Sequence, residues 1–333
     1  MTAKHLFLIQ STVLSRRMNH LNDAEKSRPP DSRRTRIIAV IQALFVTVLW
    51  SSSFIIIKFG LQDIPPMTFA GLRYSIASVI LLALILAQSE MRSAIKGRSR
   101  RWWGMLFLYG CVYITATQGT QFLGLFFLPA ITFSLLLNLT PIIVLLSAIP
   151  LLSEKPSRAE TILVLTGLFG VFLYFYPLDF VGVSIVGLMI GIVSLLANSA
   201  SALIGRAINR VRDTPSLVVT GIMMFIGSIF LMIFGLVTEP MSSLSLTSWV
   251  YILWLAVANT ALAFTLWNRA MRVLRAVDMT LINSTMMPQI VILSIIFLGE
   301  FPGPLDWVGL ILLAISVGAV QYLQTKRMNN SKE

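Results

Sequence analysis

The side chains able to do covalent or acid–base chemistry stand where such chemistry would be out of place. The two histidines, His5 and His20, both lie in a polar N-terminal stretch, and the single cysteine, Cys111, lies inside an apolar one. All 14 acidic residues, Glu154 and Glu300 included, fall in polar stretches or at the ends of apolar runs. A zinc site needs a cluster of His, Cys or carboxylate ligands, and a histidine-activated nucleophile needs an imidazole beside it. Embedded metalloenzymes and proteases are therefore poor readings, no cofactor is expected, and one thiol cannot close a disulfide.

What remains is recognition chemistry. Arg73 lies about six residues into an apolar run, too deep to reach the surface easily, and its planar fork suits a carboxylate. Its alternatives are helix packing, a pair with Asp63, or a helix C-terminal carbonyl. Lys58, at the end of the preceding run, has a stem long enough to snorkel outward. Amides can offer both donors and acceptors to a small polar solute, and they cluster as Gln118, Gln121, Asn138, Asn198, Asn268, Asn283 and Gln289. Thr115, Gln118 and Gln121 are spaced by three and so share a helix face. Trp50 and Ser52, from the run Trp50-Ser51-Ser52-Ser53, and Tyr74 complete the polar and ring-bearing candidates, with Tyr113 a further stacking surface.

These residues sit on elements set by composition. Of the 333 residues, 56% are hydrophobic and 12% charged, with mean hydropathy +0.82 and a net charge of +12. Soluble proteins carry about 25% charged residues, and disorder needs low hydrophobicity, so both classes are excluded and the bilayer is the expected partner. A spanning helix needs about 20 apolar residues. Ten such runs are readable: 37–59, 67–87, 103–123, 130–152, 161–176, 181–204, 217–237, 249–267, 279–298 and 305–323. The shortest is the fifth, and the weakest boundary is Gly124 to Pro129. The expected fold is an all-α membrane protein of ten transmembrane helices, flanked by tails at 1–36 and 324–333.

Basic residues in short loops collect on the cytoplasmic side. Alternate loops and the two tails hold 24 of the 26 Lys and Arg, and the other set (60–66, 124–129, 177–180, 238–248 and 299–304) holds none. Both termini are thus expected in the cytoplasm, and the basic tail reads as a topology signal rather than a nucleic-acid site. Arg16-Arg17 follows the only apolar patch of the tail, where a signal peptide would carry small residues; Met18 is an alternative start.

An internal repeat organises the ten runs. The block from Pro141 to Glu154 matches that from Pro288 to Glu300, with one residue inserted in the first copy, and Gln121 falls opposite Asn268, Lys58 opposite Arg206 and Pro66 opposite Pro215, at offsets of 147 to 149. Units 37–176 and 177–323 would each hold five spans, and an odd number forces the second to enter the membrane from the opposite side. Two inverted five-helix repeats place a substrate site near the midplane, at matching helix interruptions. Pro141 and Pro288 are those interruptions, because each proline frees a carbonyl one turn earlier.

The residues LWSSSFIIIKFGL and PPMTFAGLRYSIA in the first two spans, with the proline-to-glutamate block and a following glycine-bearing span in both halves, resemble the EamA-like branch of the drug/metabolite transporter superfamily. The resemblance covers about 37–323 and implies a carrier of amino acids, other small metabolites or drugs, often an exporter of bacterial inner membranes. Small multidrug relatives use a glutamate in the first span for proton exchange, and this first span has none. The expected function is outward transport of a small polar or amphipathic metabolite, an amino acid or related compound, by alternating access. The alternatives are an importer or exchanger of a small organic anion, a lipid-modifying membrane enzyme, and a channel, which the lack of charged rings disfavours.

Overall fold

The computed structural model describes residues 33–140, 142–144, 157–176, 184–209, 214–239, 243–271, 273–274, 279 and 282–330. Pro141, Glu154, the tail up to residue 32 and the second half of the fourth predicted span lie outside the described residues. Among those described, every regular element is helical. In chain order they are α1 (Arg33–Gly60), α2 (Pro66–Ala87), α3 (Ser89–Ser93), α4 (Arg100–Tyr109), the π-helix π1 (Gly110–Gln118), α5 (Gly119–Phe127), α6 (Ala130–Leu137), α7 (Arg158–Tyr174), α8 (Ile185–Asn209), α9 (Ser216–Thr238), α10 (Leu246–Ala256), π2 (Val257–Leu262), α11 (Ala263–Met271), α12 (Met286–Leu298) and α13 (Pro304–Asn330).

Local chemistry sets the ends. Pro66 opens α2 at a position whose N–H would have no helical partner. Ser157 and Glu160 close a reciprocal capping box on α7. Gly299, at φ +65°, ends α12 in the left-handed conformation that suits glycine. Among the described residues six helices are long and apolar enough to cross a bilayer: 34–60, 66–87, 185–205, 216–238, 246–270 and 304–323. Their outer faces stay apolar, as Leu165, Val186 and Ile233 show by lying more than half exposed. Helices apolar on buried and exposed faces alike are those solvated by lipid, so this is a multi-pass membrane protein. The helix Arg158–Tyr174 has only 17 residues, and the apolar helix over 282–298 is equally short. The uncertain boundary after Gly124 resolves as a break at Leu128-Pro129.

Small residues let equivalent helices of the two repeats touch. A methyl group on Gly71 of α2 would stand 2.9 Å from Met232 Cα of α9, and one on Gly235 of α9 would stand 2.8 Å from Thr68 N of α2. Residue numbers thus rise along one helix as they fall along the other, and the pair is antiparallel. The same holds for α7 and α13, where Gly170 meets Gly309 and Leu312 while Gly167 meets Ser316. Close backbone approach of this kind replaces the hydrophobic drive that helices lack in lipid. Two further features recur at an offset of 147: the π-helices begin at Gly110 and Val257, and the helical ladder is interrupted at Asn138 and at Thr285.

Candidate functional site

A cavity of about 210 Å³ lies among α1, α2, π1, α5, α6, α8, α11 and the segment around residue 283. Eight of the residues singled out by sequence line it: Trp50, Arg73, Tyr74, Tyr113, Gln118, Gln121, Asn198 and Asn283. They come from both repeats, which is why no single stretch of sequence contains the site.

Among the described residues Arg73 is the one full charge in the wall. It stands seven residues into α2, about 10 Å at the helical rise, and is 4% exposed. Its Nε donates to Thr260 Oγ1 at 2.9 Å, and the Thr260 hydroxyl in turn donates to Leu255 O at 2.8 Å. The guanidinium carbon lies 5.1 Å from the Tyr74 ring centre and 5.9 Å from that of Phe122, within the range of cation–π attraction. Among the described residues no carboxylate pairs with it; Asp63 is exposed in the turn after α1. Beside it, Tyr74 donates its hydroxyl to Gln118 Oε1 at 2.7 Å, fixing that amide, and Asn198 donates to Thr140 Oγ1 at 3.0 Å. Trp50 packs against Phe264 and Trp267, so one wall is aromatic.

The π-helices explain a shift in the predicted face. A π turn inserts an extra residue and rotates the next turns of helix about the axis. Within π1, Thr117 Oγ1 donates five residues back to Val112 O at 2.9 Å. Thr117, with Tyr113, Gln118 and Gln121, faces the cavity, while Thr115 donates instead to Gly227 O of α9 at 2.9 Å. A regular helix through this stretch would have placed Thr115 with the two glutamines.

The other candidates do different work. Gln289 lies in a polar cluster between α1 and α12, accepting from Ser51 Oγ at 3.0 Å and donating to Thr47 Oγ1 at 3.2 Å and Thr285 Oγ1 at 3.1 Å. Ser52 accepts from Asn259 at 3.1 Å, and Asn259 also reaches Ser53 Oγ at 3.0 Å and Leu49 O. Asn138 turns back to Ser134 O at 2.8 Å as the cap of α6. Asn268 is buried with its Nδ2 unpaired among the described residues. Pro288, exposed at the third position of α12, does not line the cavity, although the break it was expected to cause is present at Thr285. Pro141 lies outside the described residues. Sequence reasoning missed Phe54, Leu137, Phe264 and Met286, whose apolar side chains look like ordinary span residues. Fully buried Asn259 was legible only as a polar residue in an apolar run.

Below one end of the cavity the turn between α5 and α6 is held from both sides. Lys58 Nζ donates to Leu125 O at 3.0 Å and Leu128 O at 2.9 Å, a cation on helix C-terminal carbonyls. Glu300 accepts from Ala130 N at 2.8 Å and Ile131 N at 3.0 Å. Glu239, after α9, accepts in the same way from Met67 N at 2.9 Å and Thr68 N at 2.8 Å at the start of α2. Both carboxylates thus belong to the second half and clasp helices of the first. Lys58, Leu61, Gln62 and Glu300 also line a separate opening of about 390 Å³ at this end.

The chain is similar to known proteins. Residues 37–176 and 185–321 each match the EamA-like transporter family. Two proteins of Bacillus subtilis (strain 168) are similar: one described as uncharacterized transporter YoaV, 31% identical over 130 residues, 39% of this chain and 43% of that one, and uncharacterized transporter YvbV, 25% identical over 220 residues, 66% of this chain and 68% of that one. The match therefore spans less than half of the first relative's length. A protein solved by crystallography has the same fold, with TM-score 0.62 and 18% identity over 86% of this chain and 98% of that one. With the family matched twice along the chain, on either side of the point where the antiparallel helix pairs divide it, the protein belongs to the EamA-like transporter family.

Proposed function

We propose that the protein is a secondary carrier with ten spans in two inverted repeats, which moves a small polar or amphipathic metabolite of amino-acid size outward across the inner membrane by alternating access. Both termini then face the cytoplasm, where the basic loops lie. The observation that carries this reading is a cavity walled by both repeats and furnished with amides, a tyrosine pair and one arginine. Such a wall offers donors, acceptors, ring faces and one charge with which to bind and orient a solute. The antiparallel packing of α2 on α9 and α7 on α13 supports an in-plane two-fold relation, the symmetry that lets one set of contacts serve two oppositely facing states.

The two ends of the bundle also differ. Glu90, 149 residues before Glu239, follows α2 as Glu239 follows α9. Yet Glu90 is exposed and, among the described residues, takes no hydrogen bond from the start of α9. A clasp made at one end and open at the equivalent place on the other is what a carrier closed on one side requires. The test is efflux of a metabolite panel from cells overproducing the protein, followed by counterflow of any hit in vesicles containing purified protein. Accelerated efflux and counterflow of an unaltered solute are expected. Chemical conversion of the solute, or no counterflow for any solute whose efflux rises, would overturn the carrier reading.

A further inference from the structure

We infer that the cavity selects solutes with a net negative charge, a single carboxylate on a compact apolar body, and that Arg73 supplies the counter-charge. The inference rests on the carrier reading and narrows its substrate class.

Three observations lead there. First, the guanidinium is buried within a span, the 14 acidic residues fall by sequence in polar stretches or at the ends of apolar runs, and among the described residues no carboxylate pairs with it. An unpaired charge at such depth is costly and by default marks a ligand site. Second, its hydrogen bond to the protein is made through Nε, to Thr260. The terminal nitrogens, four N–H donors in a plane, have no protein acceptor among the described residues and belong to a side chain that lines the cavity. A carboxylate is the acceptor that takes two parallel bonds from such a fork. Third, apolar and aromatic side chains make up much of the rest of the lining: Trp50, Phe54, Leu137, Phe264 and Met286. Among the described residues no carboxylate lines the cavity to receive an ammonium group. A zwitterion would leave its cationic end with only neutral partners, amide and hydroxyl oxygens and ring faces, and one of these acceptors, Gln118 Oε1, already accepts from Tyr74.

A charge series on one scaffold tests this: 3-phenylpropanoate (anion), phenylalanine (zwitterion) and 2-phenylethylamine (cation), each measured for equilibrium binding to the purified native protein in detergent. The anion is expected to bind at least about tenfold tighter than the zwitterion, with the amine weakest. Arg73→Gln is expected to lower anion affinity by at least about thirtyfold, the usual consequence of removing one partner of a buried charge pair. Arg73→Lys, which keeps the charge but not the fork, should keep the ranking at reduced affinity. Because the ranking is read first on unmodified protein, it does not depend on any variant folding. Equal or reversed ranking in the native protein, no binding by any of the three, or anion affinity unchanged in a folded Arg73→Gln would overturn the inference. Flux in vesicles separates the two readings. Transport of all three at equal rates would remove the charge selectivity and leave the carrier standing, whereas a clear anion ranking in binding without flux would remove the carrier and leave the site.

Discussion

Glu300→Gln probes the clasp at the end of the bundle that the basic loops avoid. The carboxylate accepts two backbone N–H groups of α6, from Ala130 at 2.8 Å and Ile131 at 3.0 Å. An amide has one oxygen, so one bond is lost and the other becomes neutral, while the side-chain NH2 faces a backbone N–H. Hydrogen bonds to charged groups contribute about 1.5–3 kcal/mol and neutral ones about half that, which puts the loss at roughly 2–4 kcal/mol. If the contact is made only when this end is closed, even 2 kcal/mol shifts the balance between states about thirtyfold toward opening. A reporter cysteine in place of cavity-lining Gln121, with the sole native cysteine Cys111 replaced by alanine, reads this out through its reaction with a membrane-impermeant maleimide. In the Glu300→Gln protein, labelling from the face opposite the termini should rise and labelling from the terminal face should fall. Unchanged labelling from both faces, together with a lowered melting temperature, would mean that Glu300 is a static brace and that the clasp is no gate.

Other parts of the fold make separate predictions. Gln289→Leu removes two hydrogen bonds between α1 and α12 and a third, local one to Thr285; at about 0.6 kcal/mol per interhelical contact it should cost about 1 kcal/mol, seen as a lower melting temperature in detergent, without weakening solute affinity. Gly235→Ala sets a methyl group 2.8 Å from Thr68 N, and overpacking of about 1–3 kcal/mol should reduce thermal stability and folded yield. Asn259→Ala withdraws the donor shared by Leu49 O, Ser52 and Ser53 and should loosen α1 from π2 by about 1–3 kcal/mol, measured by chemical denaturation.

How far the sequence speaks depends on whether a signal is local. Apolar length located the helices because lipid demands it, the short helix Arg158–Tyr174 included, but it could not reveal the interruptions inside them, such as the π turns. The repeat was legible because it leaves pairs such as Lys58 and Arg206 at constant offsets, and α2 and α9 pack antiparallel as such a duplication implies. The cavity was half legible. A buried arginine and amides in apolar runs announce themselves by cost, so Arg73, Gln118, Gln121, Asn198 and Asn283 could be named without coordinates. The same cost argument cannot tell a cavity wall from a helix clasp: Gln289 and Ser52 satisfy their polar atoms against neighbouring spans instead of facing the cavity.

The π-helices were the feature that a regular period could not reveal, and they bear directly on the binding chemistry. By carrying Thr260 Oγ1 five residues forward of Leu255 O, π2 presents a hydroxyl whose hydrogen is committed and whose lone pair is free to accept Arg73 Nε. An α-helical threonine would bond three or four residues back and point elsewhere on the cylinder. The guanidinium is thereby held by its inner nitrogen, with its outer edge left for a solute. One unusual turn in the second repeat thus positions the charge contributed by the first, and the cavity requires both repeats for its chemistry as well as for its walls.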